Sequence, residues 1–197
     1  FLMSGAIAAL LLAVLLSGCH SPEAEQHATA EEGHAHGHRH GDANRHMNRR
    51  PFEELVAGFE SPERAEWQKP DAVIAFLGEL QGKTVMDIGS GSGYFSFRLA
   101  EAGARVISAD VDERFLDYIE QRKAGAGLTD RQLETRRLPH DSPRLQPGEV
   151  DLVFMVNVYH HIEKRPAYFA GVRQGLKPDG RLVVIDFFKK DTPVGPP

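Results

Sequence analysis

The segment Val85-Met86-Asp87-Ile88-Gly89-Ser90-Gly91-Ser92-Gly93-Tyr94 constrains the fold more than any other part of the sequence. An apolar run of strand character leads directly into glycines at alternate positions, and the residues after them read as a helix. Glycine accepts φ > 0 and, having no Cβ, lets backbone N–H groups come close to a ligand. Strand, tight turn and helix in that order make the first half of a βαβ unit, and a nucleotide-like cofactor is expected at the turn.

The alternation continues along the chain. Strands are predicted at Thr84 to Ile88, Arg105 to Ala109, Leu133 to Leu138, Val150 to Val156 and Arg181 to Phe187. Helices are predicted at Gly93 to Ala102, Glu113 to Lys123 and Glu163 to Leu176. The class is therefore α/β, a Rossmann-like doubly wound parallel sheet with helices on both faces. Val150 to Val156 is nearly all apolar, as a central strand buried on both faces should be. Arg136 and Arg137 place Leu133 to Leu138 at an edge. Ahead of the first strand, Pro62 and Pro70 punctuate two short helical stretches, and Val73, Ile74, Leu77 and Leu80 follow the 3.6-residue period of a helix leading into the domain.

A glycine turn alone leaves an NAD(P)-dependent oxidoreductase open, because dinucleotide enzymes use G-x-G-x-x-G in the same context. Two details weigh against that reading. Tyr94 stands where the third dinucleotide glycine would be. Asp87, two residues before the first glycine, would repel a pyrophosphate but suits a ligand carrying ammonium and sulfonium charges. The stretch VMDIGSGSGYFS resembles motif I of class I S-adenosylmethionine-dependent methyltransferases, D/E-x-G-x-G-x-G, of the type 11/25-like group, and the resemblance extends over about Pro51 to Lys189. It implies strand order 3-2-1-4-5 and methyl transfer from S-adenosylmethionine. It implies further that Asp87, Gly89, Gly91, Gly93 and Asn157 lie at the cofactor, Asp110 at its ribose and Asp141 at its adenine amino group. Asp112 is read as the cap of the helix that follows. Leu176-Lys177-Pro178-Asp179-Gly180 resembles the LKPGG turn before the fifth strand, with Asp179 at a glycine position where left-handed backbone is expected.

Chemistry is expected at the carboxyl ends of the strands, where Asn157-Val158-Tyr159-His160-His161-Ile162 follows the fourth. This stretch lacks the two prolines of the N/D-P-P-Y/F/W motif of amino-methylating DNA enzymes. It resembles instead the V-x-x-x-H-H-I/L segment of small-molecule and quinone- or lipid-type methyltransferases. His160 or His161 is the candidate base, since imidazole titrates near neutrality, with Tyr159 and Asn157 orienting the substrate. The structural alternative is that the paired histidines cap the next helix or pack beneath the cofactor. Trp67 and Gln68 fall where a lid over the cofactor is expected, with core packing the alternative for the sole tryptophan.

The amino-terminal part carries a different message. Gly5 to Leu16 is apolar over about a dozen residues, short of the roughly 20 a helix needs to cross hydrocarbon, and suits a signal-peptide core. Leu16-Ser17-Gly18-Cys19 resembles the bacterial lipobox, which implies lipidation of Cys19. That residue is the only cysteine, so an intramolecular disulfide and a thiolate zinc site are excluded. No Lys or Arg precedes the apolar run, the chain opens on Phe1, and it stops at Pro197, before the helix and antiparallel hairpin that the resemblance implies after the fifth strand. The expectation is of a chain shortened at both ends. Three regions follow: a signal peptide over 1–18, a disordered His-rich tether over 19–50, and a methyltransferase domain over 51–197 lacking its carboxyl-terminal hairpin.

Within the tether, His34, His36, His38 and His40 alternate in GHAHGHRH and suit a divalent metal, or else form a solvated tail with adventitious affinity. The formal charge of -5 gives no basic field for a phosphate backbone, which favours a small-molecule acceptor over nucleic acid. The expected location is the bacterial envelope, with the lipid anchor in a membrane and the domain on the periplasmic or outer-membrane side, or the cytoplasm if the signal is misread. Export would part the domain from the compartment that makes the cofactor. The rival reading is a metal-binding envelope lipoprotein whose domain holds cofactor without turnover.

Overall fold

The computed structural model describes residues 50–187. Three short helices, α1 (Phe52–Phe59), α2 (Arg64–Gln68) and α3 (Pro70–Leu77), precede an alternating series. That series is β1 (Thr84–Ile88), α4 (Tyr94–Glu101), β2 (Arg105–Asp110), α5 (Glu113–Gly125), β3 (Leu133–Arg137), β4 (Val150–Val156), α6 (Arg165–Gly175) and β5 (Leu176–Ile185). Every neighbouring pair is parallel, in the order β3-β2-β1-β4-β5. The chain winds outward from β1 to β3 and then returns to lay β4 on the other side of β1. Outside the carboxyl ends of β1 and β4 the crossovers diverge, which is where open α/β sheets hold their ligands.

The period of two along each strand divides the core into two layers. Val85, Val106, Leu152, Phe154 and Val156 meet Leu77, Phe95, Leu99 and Ile119 on one face. Met86, Ile88, Ile107, Val153 and Met155 meet Ile162, Tyr168 and Val172 on the other. Leu152 to Met155 of β4 are all 2% exposed or less, and full burial of side chains of this size contributes about 1.5–3 kcal/mol each.

β3 lies at an edge, as Arg136 and Arg137 led us to expect. β3 carries paired charge: Arg136 bridges Glu134 and Glu149, Arg137 meets Glu113, and Arg105 of β2 reaches Glu134. Asp112 caps α5, accepting the Arg114 backbone N–H at 3.0 Å. At the opposite edge, Leu182 and Val184 of β5 are half-exposed.

β5 departs from expectation. It begins at Leu176, five positions before the predicted Arg181, because Leu176 already pairs with Val150. The register then jumps to Leu152 with Arg181, and Lys177 to Gly180 bulge out within the strand instead of forming a turn ahead of it. Neither Asp179 nor Gly180 takes positive φ, so the left-handed backbone expected at Asp179 is corrected. Among the described residues no helix is long and apolar enough to cross a membrane.

Candidate active site

Gly89, Gly91 and Gly93 all lie in left-handed backbone, at φ of 70°, 53° and 80°. A Cβ at Gly89 would stand 2.3 Å from Val158 Cγ2, and one at Gly91 would stand 3.0 Å from the Phe59 ring. The turn needs glycine on both counts, backbone sign and close packing. Its amides are used differently from the expectation that they face a ligand. Gly89 and Ser90 donate to the Ala109 carbonyl at 2.7 and 3.1 Å, Gly93 to Ser90, and Gly91 to Asp110 Oδ2 at 2.9 Å. Three of these four N–H groups thus lock the turn onto β2.

Two carboxyl groups meet at that lock. Asp110, the last residue of β2, is 8% exposed and accepts Gly91 N–H on one oxygen and Asp112 N–H on the other, both at 2.9 Å. Burial pushes its carboxyl up, against those N–H donors. Asp87, in β1, is 3% exposed and accepts the Ser96 hydroxyl at 2.7 Å, and Ser96 in turn meets the Ser108 hydroxyl at 2.8 Å. Burial raises the Asp87 carboxyl to about 6, the neighbouring Asp110 adds to the rise, and Ser96 and Arg64 oppose it. A buried carboxyl so placed favours a cationic group beside it.

Arg64 of α2 supplies the opposite charge. Its guanidinium lies 4.1 Å from the centre of the Tyr94 ring, donates to the Phe59 carbonyl at 2.9 Å, and is depressed below its ordinary value by burial. Among the described residues, Arg64 Nε, Ser90 Oγ, Ser92 Oγ and Tyr94 Oη are buried without a hydrogen-bond partner. Buried polar groups are normally satisfied; three of these follow β1 within six residues, and the fourth belongs to the guanidinium that stacks on Tyr94. A zwitterionic amino acid joined to a ribonucleoside fits that set: Asp87 for its ammonium, Arg64 and the serine hydroxyls for its carboxylate, Asp110 for its ribose hydroxyls.

The rim beyond β4 holds the other candidates. Asn157 takes left-handed backbone at φ 58°, which asparagine tolerates better than most residues. It donates N–H to the Ile185 carbonyl at 2.8 Å and its side-chain amide to Gln68 Oε1 at 3.2 Å. Gln68 is buried, while Trp67 is 38% exposed and lies against Phe187, with ring centres 5.9 Å apart. The sole tryptophan is therefore at the rim and not in the core. His160 Nδ1 stands 2.9 and 3.0 Å from the two oxygens of Asp186, and the His160 backbone N–H reaches the same carboxylate at 3.2 Å.

The remaining candidates separate. His161 is pushed down to about 4, by burial and then by His160, whose ring centre is 4.2 Å away. It is neutral at physiological pH. The Tyr159 ring turns toward α6, 5.7 Å from Phe169 and beneath the Arg165 guanidinium at 4.4 Å, which engages it away from the His160 and Asp186 pair. Asp141 is exposed on the turn after β3. Cys19, His34, His36, His38 and His40 lie outside the described residues, and among those described no group of three His, Cys, Asp or Glu is placed to hold a metal. Sequence reasoning missed Arg64, Ser96 and Asp186. Only Asp186 left a signal, as an acid directly after the apolar run Val183-Val184-Ile185.

A family model described as a methyltransferase domain matches residues 86–184. The tRNA U34 carboxymethyltransferase of Shewanella amazonensis is 35% identical over 123 residues, covering 61% of this chain and 36% of that protein. The cypemycin N-terminal methyltransferase of a Streptomyces species is 34% identical over 105 residues, covering 51% of this chain and 40% of that protein. The chain thus spans well under half the length of these curated relatives. A solved S-adenosylmethionine-dependent methyltransferase from Aquifex aeolicus superposes with a TM-score of 0.68 at 24% identity, covering 75% of this chain and 79% of that one. The match over β1 to β5 decides against the dinucleotide reading: the chain belongs to the methyltransferase domain family and has the class I fold of its S-adenosylmethionine-dependent members.

Proposed function

We propose that this chain transfers the methyl group of S-adenosylmethionine to a small-molecule or lipid-like acceptor held at the rim beyond β1 and β4. The observation that carries the reading is that buried Asp87 and Asp110 flank a glycine turn whose neighbouring polar atoms lack partners, with the Arg64 guanidinium stacked on Tyr94 at the end of that turn. When bound, the cofactor supplies an electrophilic methyl group. The chain's own part is to anchor both charged ends of the amino-acid moiety, grip the ribose through Asp110, and align an acceptor near His160 at attacking distance.

The relatives' names point to two different acceptors, U34 of tRNA and the N-terminus of cypemycin, so the acceptor does not follow from likeness. Charge favours a small molecule. The chain is formally -5, and the arginines of the β3 edge are each paired with a glutamate, so that edge offers no unpaired basic stripe to a polyanion. The Cys19 lipid anchor and an envelope location form part of the same proposal, with the alternating histidines as a separate metal-binding element on the tether.

The test is to incubate the purified chain with methyl-labelled cofactor and a bacterial extract divided into small-molecule, lipid and RNA fractions. Label is expected in the small-molecule or lipid fraction. Label confined to RNA would replace this acceptor with tRNA, and no label in any fraction would support the rival of a domain that binds without turnover.

A further inference from the structure

His160 sits on the short 3-10 turn Tyr159–His161 just past β4, and Asp186 is the first residue past β5. Because β4 and β5 are parallel neighbours, both residues stand at the same end of the sheet. The Asp186 carboxylate is bound by the His160 ring nitrogen Nδ1, by the His160 backbone N–H, and by the Phe187 backbone N–H at 2.8 Å. Burial alone would raise this carboxyl, but the His160 and Phe187 donors hold it below the ordinary carboxylate range. A carboxylate can only accept, so Nδ1 carries a proton, and the tautomer of the neutral ring that this contact selects is the one whose lone pair is on Nε2.

Resting on the methyl-transfer reading above, we propose that the acceptor atom is a weakly acidic hydroxyl oxygen on a planar molecule, and that Asp186 is the positioning residue that makes His160 its proton acceptor. A hydroxyl differs from an amine in what it demands. An amine can attack as the neutral species and lose its extra proton to water afterwards. A hydroxyl attacked at oxygen would become a strongly acidic oxonium, so its proton must leave as the bond forms, and a base at the site is required. The charged and titratable groups around the ring fit that task. Asp186 faces Nδ1 from the end of β5, neutral His161 lies alongside, and Arg165 of α6 is held over the Tyr159 ring. From α2, the nearby contacts are uncharged, Trp67 on Phe187 and Gln68 on Asn157. The half-exposed Trp67 ring against Phe187, the residue next to Asp186, offers a flat apolar wall to a planar acceptor.

The balance is simple. An oxygen lone pair forms the new C–O bond, the C–S bond breaks with its electron pair retained by sulfur as the thioether, and the hydroxyl proton passes to His160 Nε2. The imidazolium is neutralised by Asp186 until the proton leaves to solvent. Nothing is oxidised or reduced.

The test uses the full chain with a panel of catechol-type phenols of graded acidity, 2-phenylethylamine as the amine probe, and calorimetry with S-adenosylhomocysteine alongside. Phenols should be methylated, with a rate that rises through the imidazole range to a plateau. Asp186→Asn offers an amide donor to Nδ1 and so places the proton on Nε2. It should lower kcat about 100-fold, flatten the pH profile, and leave KM and S-adenosylhomocysteine affinity within about threefold. A nitro-substituted phenol that is already ionised at the assay pH needs no base, so its deficit should shrink toward unity. His160→Gln should lose as much as Asp186→Asn, and the double variant little more. An equal loss on every phenol irrespective of acidity, preference for the amine, or no phenol methylated while the nucleoside still binds would each overturn the assignment. Absence of nucleoside binding would instead remove the underlying cofactor reading.

Discussion

Replacing Asp87 by asparagine should make the domain more stable and a worse binder at once. In the folded chain the Asp87 carboxyl is raised from 3.8 to about 6 by burial, with Asp110 adding to the rise. Between about pH 4 and pH 6 the folded state therefore holds a proton that the unfolded state has released, and stability falls as pH rises through that window. Below it both states are protonated and no penalty exists. Above it the penalty is complete, and a shift of roughly two units corresponds to about 3 kcal/mol. The asparagine amide does not titrate, while its carbonyl can still accept the Ser96 hydroxyl that Asp87 now holds at 2.7 Å. The unfolding free energy of Asp87→Asn relative to wild type should grow by about 3 kcal/mol from pH 4 to pH 7, on the order of 10 °C in Tm for a domain of this size. Urea unfolding followed by circular dichroism across that range measures it. The same substitution removes the partner of the ligand's ammonium, so affinity for S-adenosylhomocysteine should fall at least about tenfold at pH 7. Parallel stability curves for the two proteins, or unchanged affinity, would refute the reasoning about Asp87.

Other expectations concern single positions. Gly89→Ala forces a Cβ to 2.3 Å from Val158 Cγ2 at a φ of 70° and should cost about 3 kcal/mol. Adding Val158→Ala should recover the steric part and leave the backbone part, as read from denaturation midpoints. Trp67, the only tryptophan, is half-exposed against Phe187, so its fluorescence should shift when a planar acceptor binds and stay unchanged in Phe187→Ala. In a bacterial host, labelled palmitate should mark the wild-type chain and leave Cys19→Ser unlabelled, and an unlabelled wild type would remove the anchor proposal. Deleting residues 20–50 should abolish nickel or zinc retention without changing methyl transfer.

The strand-helix alternation and the glycine turn were legible because each rests on local pattern, whereas the strand order followed only from the resemblance to class I methyltransferases. Glycines at alternate positions after an apolar strand, Arg136 and Arg137 at an edge, and Asp112 before α5 all state their roles within a few residues of chain. The start of β5 was not legible, since it depends on Val150 offering a pairing partner to Leu176 before the Lys177 to Gly180 bulge. Nor did the sequence reveal that the amides of Gly89, Ser90 and Gly91 bond to β2, because the acceptors, Ala109 and Asp110, follow about 20 residues later. Arg64 sits in the polar helix Arg-Ala-Glu-Trp-Gln, whose composition resembles an exposed surface, and its position over Tyr94 is tertiary. The histidine pair was visible, but the partner of His160 lies 26 residues away, just past the next strand. Only that contact separates His160, which a carboxylate orients, from His161, which burial keeps neutral.

The most direct measurement is calorimetric titration of the folded chain with S-adenosylhomocysteine, for wild type and for Asp110→Asn. One saturable site per chain is expected for the wild type, with affinity at least about tenfold weaker in the variant, where one of the carboxylate oxygens at the end of β2 is gone. A well-folded wild type giving no heat up to millimolar ligand, or a variant that binds as tightly as wild type, would contradict the assignment of the glycine turn and Asp110 to the cofactor.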